Sequence, residues 1–454
     1  MVMIIVDTLR KDYAKPLENE LRRLGFISYD NAITPSPWTT PAHASIFTGL
    51  YPTIHGAHET KNRKLYRVRL KKNEDTLPLR LMDLGYETFL LTANPFITPQ
   101  FGFTGFKYFY LTMPVFSILS NEDNKIKVKL VQKYSPKNKL EFAKILVHNR
   151  KYGLLAKLPF NYSFRIFYQI IKNWPRDKGA NNAIERLKQL LLHASNKNPK
   201  FIFINLMEVH EPYFMNEKRS REMLLNNLKT DKLDRYYVRK WRENYPREVK
   251  YVTRKIVEII KILKEGNLFD DSLIIVTSDH GQLLGEHGRI NHGIFLYDEL
   301  LRIPLLIKYP VNPVIEITWN KTKYVSLVKL KEFIINLVKN NLENDNILYS
   351  NTVFAESHGI HTDLTGKIYT EKEKKKLESF EKWRIAIYNE EFKGIFNVKD
   401  WKIERTTIYG SNKEIEEDVI ERLKKEAMRF LNTVITANIL RTKRMSLSSY
   451  HDFK

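Results

Sequence analysis

The 454-residue chain carries 75 Lys plus Arg against 52 Asp plus Glu, a net charge of +23, and no cysteine. A disulfide framework, a thiolate metal site and a cysteine nucleophile are therefore excluded, while the charge favours anionic partners such as phosphorylated or sulfated substrates, nucleic acid or an acidic membrane surface. Single cores stop growing at roughly 250–300 residues, so a large unit with a smaller one appended is expected.

In chain order, "MVMIIVDTLR" has a short apolar run with no basic residue before it and reads as a first strand, not a signal peptide. Nowhere do roughly 18 consecutive apolar residues occur, so no transmembrane helix is predicted and a cytoplasmic location is expected. The runs "VMIIV" (2–6), "TFLLT" (88–92), "FIFINLM" (201–207), "LIIVTS" (273–278) and "IPLLIKY" (303–309) are strand-length and almost wholly apolar. Such runs belong to a mostly parallel sheet buried on both faces. Between them lie amphipathic patterns, clearest in "PREVKYVTRKIVEIIKILKEGN", where Val249, Val252, Ile256, Ile260 and Leu263 share one stripe and Gly266 is a stop signal. The alternation predicts an α/β sandwich with helices on both faces of the sheet.

Two stretches are basic and aromatic. The sequence assigns no role to residues 110–178. Residues 215–250 interleave Tyr236, Tyr237, Trp241 and Tyr245 with Lys and Arg; they read first as a solvated helical pair with its aromatics packed inward, and second as a polyanion-binding cap. After residue 370 the pattern changes to short antiparallel strands, "WRIAIYNEEFKGIFNVKDWKIERTTIYG", and a closing amphipathic helix. Two units, 1–370 and a small C-terminal α+β subdomain at 371–454, are expected.

The chemistry gathers at strand ends. Asp7 follows the first strand, "EVHEPY" (208–213) the third, and "DHG" (279–281) the fourth. Ligands of open parallel sheets bind outside the carboxyl ends of the strands, which brings Asp7, His210, Asp279 and His280 into one candidate crevice. In "SPWTTPAHASIFTGLYP", Pro41 suits a first helical position with Thr40 as N-cap, leaving Thr39 just outside and facing that crevice. The helix N-terminus there attracts phosphate or sulfate.

These residues resemble the sulfatase family of the alkaline phosphatase superfamily of metal-dependent hydrolases. The resemblance rests on "IIVDTLRKD", "TTPAHASIFTGLYPTIHG", "LMEVHEPY" and "VTSDHGQLLGEHGRINHGIFLYDELLRIPLLIK", with "FGFTGFKYF" as weaker support. It implies an alkaline-phosphatase-like sandwich and one divalent metal ion, Mn, Zn, Mg or Ca, held by Asp7, Asp279 and His280 together with the nucleophile Thr39. Two departures matter. Family members usually carry a second acid where Thr8 stands, and their nucleophile is a formylglycine made within C/S-x-P-x-R, where this chain has Thr39, Pro41 and His43. Threonine cannot become that aldehyde hydrate, so the set looks like the metal site of superfamily members with threonine nucleophiles.

The resemblance therefore implies hydrolysis of phosphate or sulfate esters, with phosphoryl chemistry favoured because a sulfated threonine lacks the elimination open to a formylglycine hydrate. His210 and His292 are the expected stabilisers of the transferred group, and His43 and His287 candidate substrate contacts. For His287 and His55, turn or structural hydrogen bonding is the preferred reading. Glu208 is a candidate outer acid. The alternatives are a phosphoryl-group transferase acting on a phosphodiester head group and an inactive polyanion-binding relative; nucleic acid is a disfavoured partner.

Overall fold

In the computed structural model, seven strands form the main sheet: β1 (Val2–Val6), β2 (Ile27–Ser28), β3 (Glu87–Thr92), β4 (Tyr108–Leu111), β5 (Lys200–Leu206), β6 (Ile274–Thr277) and β7 (Leu305–Lys308). The structure describes residues 1–451 apart from 115–118, 135, 137, 172, 194–197, 216, 218–219, 364–368 and 410–415. The strand order is β2-β7-β6-β1-β5-β3-β4. From β6 to β4 every pairing is parallel, whereas β7 runs antiparallel to β6 and to β2. An apolar run reports burial on both faces and is silent on strand direction, so this reversal was invisible in "IPLLIKY".

The sheet separates two cores. Val2, Ile4 and Val6 of β1 enter one, and Met3 and Ile5 the other, so consecutive residues face opposite sides and both sides are buried. Helix α2 (Arg235–Glu265) covers the first face with Val249, Val252, Ile256, Ile260 and Leu263, and ends at Gly266. Helix α1 (Thr39–Thr48) covers the second with Ala44, Ile46 and Phe47.

The basic segment at 215–250 is a helix, Ser220–Thr230, followed by the first half of α2. Tyr237, Trp241 and Tyr245 are buried and Tyr236 is exposed, so three of the four aromatics pack inward. The other basic segment forms helices Asn121–Tyr134, Lys139–His148 and Tyr152–Ile171. Among the described residues no helix is long and apolar enough to cross a membrane.

A second sheet contains β8 (Thr352–Ser357), β9 (Arg384–Asn389), β10 (Phe392–Asn397) and β11 (Lys402–Ile408), all antiparallel. Helix α3 (Glu417–His451) lays Leu423, Ala427 and Phe430 on Ile385, Ile387 and Phe396. Strand β8 belongs to this sheet although it precedes residue 370, where the sequence pattern changes. Asp298 ties this sheet to the rest of the chain: its carboxylate accepts from the Tyr388 hydroxyl (2.7 Å), the Tyr409 hydroxyl (2.7 Å) and Lys393 Nζ (2.5 Å).

Candidate metal and nucleophile site

Strands β6, β1, β5 and β3 are consecutive and parallel, so their carboxyl ends lie side by side. Asp7, Asp279, His210 and Asn94 follow these ends within four residues. The turn after β1 is held open by Thr8, which adopts φ 62°. Its carbonyl accepts from the Tyr245 hydroxyl (2.6 Å) and its N–H donates to Asp279 Oδ1 (3.2 Å). Thr8 thus ties the first strand's turn to α2 and to the neighbouring strand end.

Helix α1 starts two residues earlier than the sequence suggested. Trp38 occupies the N-cap position in extended conformation, and no side chain caps the helix. Thr40 is therefore not the cap; its hydroxyl is buried without a hydrogen-bond partner. Pro41 sits at the third helical position, which is equally tolerant because first-turn N–H groups have no intrahelical acceptor. Thr39, at the helix start, places Oγ1 3.5 Å from Asp7 Oδ2 and 3.3 Å from His280 Nε2.

The carboxylates are oriented on one side and bare on the other. Asp7 Oδ2 accepts from Asn94 Nδ2 (2.7 Å), and Asn94 is itself fixed because its Oδ1 accepts from Phe96 N (2.8 Å). Asp279 Oδ1 accepts from the N–H groups of Thr8 and His280. Asp7 Oδ1 and Asp279 Oδ2 are buried with no hydrogen-bond partner, and lie 3.8 and 3.5 Å from His280 Nε2. His280 Nδ1 faces the Gly281 carbonyl at 2.9 Å; a carbonyl only accepts, so the proton is on Nδ1 and the Nε2 lone pair faces the cluster. Burial and the Asp279 charge push the Asp7 carboxyl up to about 6, and burial pushes Asp279 up to about 7.

Two buried carboxylate oxygens without donors, a neutral imidazole nitrogen and a hydroxyl oxygen within reach of one another fit a divalent cation. Asn94 and the two backbone N–H groups are the outer partners that aim such ligands.

Three more histidines border the cluster. The His292 ring lies 4.6 Å from that of His280, 5.3 Å from His210 and 5.7 Å from His361. His292 Nδ1 bonds Gln282 Oε1 (2.7 Å), and His210 Nδ1 donates to the Glu211 carbonyl (2.7 Å). Burial and the neighbouring histidines drive His292 well below its ordinary pKa. Burial also disfavours a charged His210, yet Glu211 and Asp7 outweigh it and raise its pKa. His210 is therefore the more readily protonated of this pair.

His361 was not singled out by the sequence. It follows β8 and is buried, with Nδ1 lacking a hydrogen-bond partner; its ring packs on Trp38 at 5.4 Å. A Cβ at Gly293 would collide with this ring, so glycine is what admits it. Asn94 was also missed, although its place two residues after β3 follows the same strand-end rule that located Asp7.

The two candidate substrate contacts, His43 and His287, stand in different surroundings. His43 is fully buried behind the cluster: Nδ1 donates to the Thr39 carbonyl (3.0 Å) and lies 3.5 Å from Asp279 Oδ2, while Nε2 accepts from Asn205 Nδ2 (3.3 Å). Both its nitrogens are engaged, and burial holds its pKa down at about 3. His287 pairs with Glu299 (3.1 Å) and stacks on Tyr297, in a separate pocket shared with Asp298, Lys393 and Arg405. His55 bonds Ser45 Oγ and the Ala57 N–H and is structural. Glu208 accepts from the N–H groups of Lys178 and Ala180, so it secures the start of the helix Ala180–His193.

A family model described as "Sulfatase" matches residues 1–330. The chain is 32% identical over 93 residues to an N-acetylglucosamine-6-O-sulfatase of Bacteroides thetaiotaomicron, covering 20% of this chain and 16% of that protein. It is 36% identical over 73 residues to a choline-sulfatase of Rhizobium meliloti, covering 16% and 14%. These alignments thus span under a fifth of either relative. Among solved structures, a phosphonate monoester hydrolase from Silicibacter pomeroyi superposes with a TM-score of 0.59 at 14% identity, over 96% of this chain and 95% of that one. A crystal structure of a putative sulfatase from Bacteroides thetaiotaomicron gives 0.59 at 14%, over 96% and 92%. At such identity the likeness is one of fold.

Proposed function

Because the chain belongs to the sulfatase family, we propose that it is a metal-dependent hydrolase of phosphate or sulfate esters, with Thr39 as nucleophile and phosphoryl esters favoured. The observation that carries this reading is the position of Thr39 Oγ1, 3.5 Å from Asp7 Oδ2 and 3.3 Å from His280 Nε2, beside two buried carboxylate oxygens that have no donor. A divalent cation held by Asp7, Thr39, Asp279 and His280 would stabilise the threonine alkoxide and polarise the ester.

The chain's own groups supply the rest. Asp7 Oδ2, 3.5 Å from the Thr39 hydroxyl, takes its proton as this oxygen attacks phosphorus. As the Thr39 oxygen bonds to phosphorus, the bond from phosphorus to the leaving alcohol oxygen breaks. His210, whose pKa Glu211 and Asp7 raise despite burial, donates the proton that this oxygen requires. His292, kept neutral by burial and anchored on Gln282 through Nδ1, is placed beside His280 to steady the transferred group, and the His361 ring lies 5.7 Å from it. Water then attacks phosphorus and gives a proton to His210, while the bond from phosphorus to the Thr39 oxygen breaks and Asp7 returns a proton to that oxygen, releasing the phosphate and regenerating Thr39.

The test is a panel of phosphate monoesters, phosphodiesters, phosphonate monoesters and sulfate esters, each with Mn, Zn, Mg and Ca and with chelator. Chelator-sensitive turnover of phosphoryl esters, with acid quenching that traps phosphate on the peptide containing Thr39, is the expected result. Faster sulfate-ester turnover would reverse the substrate preference, and covalent phosphate only on another residue would remove Thr39 as nucleophile.

A further inference from the structure

The helical insertion 121–171 presents a surface that the chemistry of the crevice does not use. Its helices pack mainly on one another, with Leu154 and Leu158 turned toward Leu130, Phe142 and Leu146. That contact satisfies the inner face of the helix Tyr152–Ile171. On the outer face, Tyr152, Ala156, Phe160, Phe167, Ile170 and Ile171 are all exposed, Phe160 at 69% and Ile170 at 70%. At about 100° per residue these positions all fall within roughly one third of the helix circumference and form one stripe. The preceding helix adds exposed Leu140, Lys144 and Val147 at the same periodicity.

Charge narrows the partner. Residues 121–171 contain eleven Lys and Arg and three acidic residues, and no acidic residue occurs from 142 to 176. A second copy of the chain would bring the same positive charge against itself. A nucleic acid or sulfated polymer satisfies the cations but has no use for exposed Leu140, Val147, Ile170 and Ile171. An apolar stripe with aromatic side chains, set among cations, is what an anionic lipid interface takes up, because acyl-chain burial and headgroup attraction act together. Among the described residues no helix can span the bilayer, and the contact proposed is a peripheral one.

We propose that the helical insertion at residues 121–171 seats this protein on an anionic membrane surface, with the stripe from Tyr152 to Ile171 entering the headgroup region. The test uses the full chain in a flotation assay with phosphatidylcholine vesicles, with and without phosphatidylglycerol. The protein should float with the anionic vesicles, less so as salt rises, and stay behind with phosphatidylcholine alone. The triple variant Phe160→Ser, Phe167→Ser, Ile170→Ser should partition roughly 10²-fold less while keeping its thermal midpoint. Since the chain has no cysteine, Phe167→Cys gives a single site for a polarity-sensitive dye, whose emission should shift blue on anionic vesicles. Absent flotation, a triple variant that floats like the parent, or a dye that does not respond would overturn the proposal. So would stripe-dependent retention on RNA or on an acidic peptide by a protein that ignores vesicles.

Discussion

The two adjacent threonines at the start of α1 have different chemical surroundings. Thr39 Oγ1 has a carboxylate and an imidazole nitrogen within 3.5 Å, whereas Thr40 Oγ1 is buried with no partner at all. Thr39→Ala should therefore abolish turnover with little change in thermal midpoint, and Thr39→Ser should retain part of it because the attacking oxygen survives. Thr40→Val removes an unpaired buried hydroxyl at constant shape, so stability should be unchanged or rise by up to about 1 kcal/mol in urea unfolding. A marked loss in that variant would mean that the Thr40 hydroxyl is bonded in solution. Asn94 belongs to the same scale. It only orients Asp7, so Asn94→Ala should weaken metal binding by roughly 10–100-fold in a titration while leaving bound metal attainable at high concentration. Asp279→Ala, which deletes a proposed ligand, should leave none attainable.

At the scale of elements, α2 does more than cover the sheet. The Tyr245 hydroxyl donates to the Thr8 carbonyl and accepts from the Arg10 N–H at 3.0 Å, and all three residues are buried. Through this one oxygen the helix fixes the left-handed turn from which Asp7 projects. Tyr245→Phe leaves a buried carbonyl and a buried N–H without that partner, and should cost about 1–3 kcal/mol in urea unfolding. If the turn also depends on this bond, metal affinity should fall with it; stability lost at unchanged affinity would show that the Asp279 contact to Thr8 suffices.

At the scale of the whole molecule, Asp298 ties the small antiparallel sheet to the rest of the chain. Burial works against its charge, but Lys393, Arg302 and the Tyr409 hydroxyl outweigh burial and hold the carboxyl down at about 2. A carboxylate depressed below its unfolded value contributes stability that is present above the unfolded pKa, roughly 4, and is lost as pH falls toward 2. Asp298→Asn should thus destabilise the protein near neutral pH and flatten the decline in stability between about pH 4 and pH 2. Parallel acid limbs for variant and parent in urea unfolding would place the acid sensitivity elsewhere.

The local pattern of the sequence was enough for the strands of the main sheet, the stripe of α2 and its stop at Gly266. Each is a matter of periodicity and of which residues must leave water. It was also enough to gather Asp7, Asp279, His280 and His210, since parallel strands have one functional end and each residue stands just after a strand. What the local pattern could not carry was adjacency between distant segments. That β7 runs backwards, that β8 belongs to the small sheet, and that His361 reaches His292 all depend on pairings and packing across many residues. The fates of His43 and His287 were decided in the same way: a histidine's role follows from what its two nitrogens meet, and those partners, Asn205 for one and Glu299 for the other, are supplied by the fold.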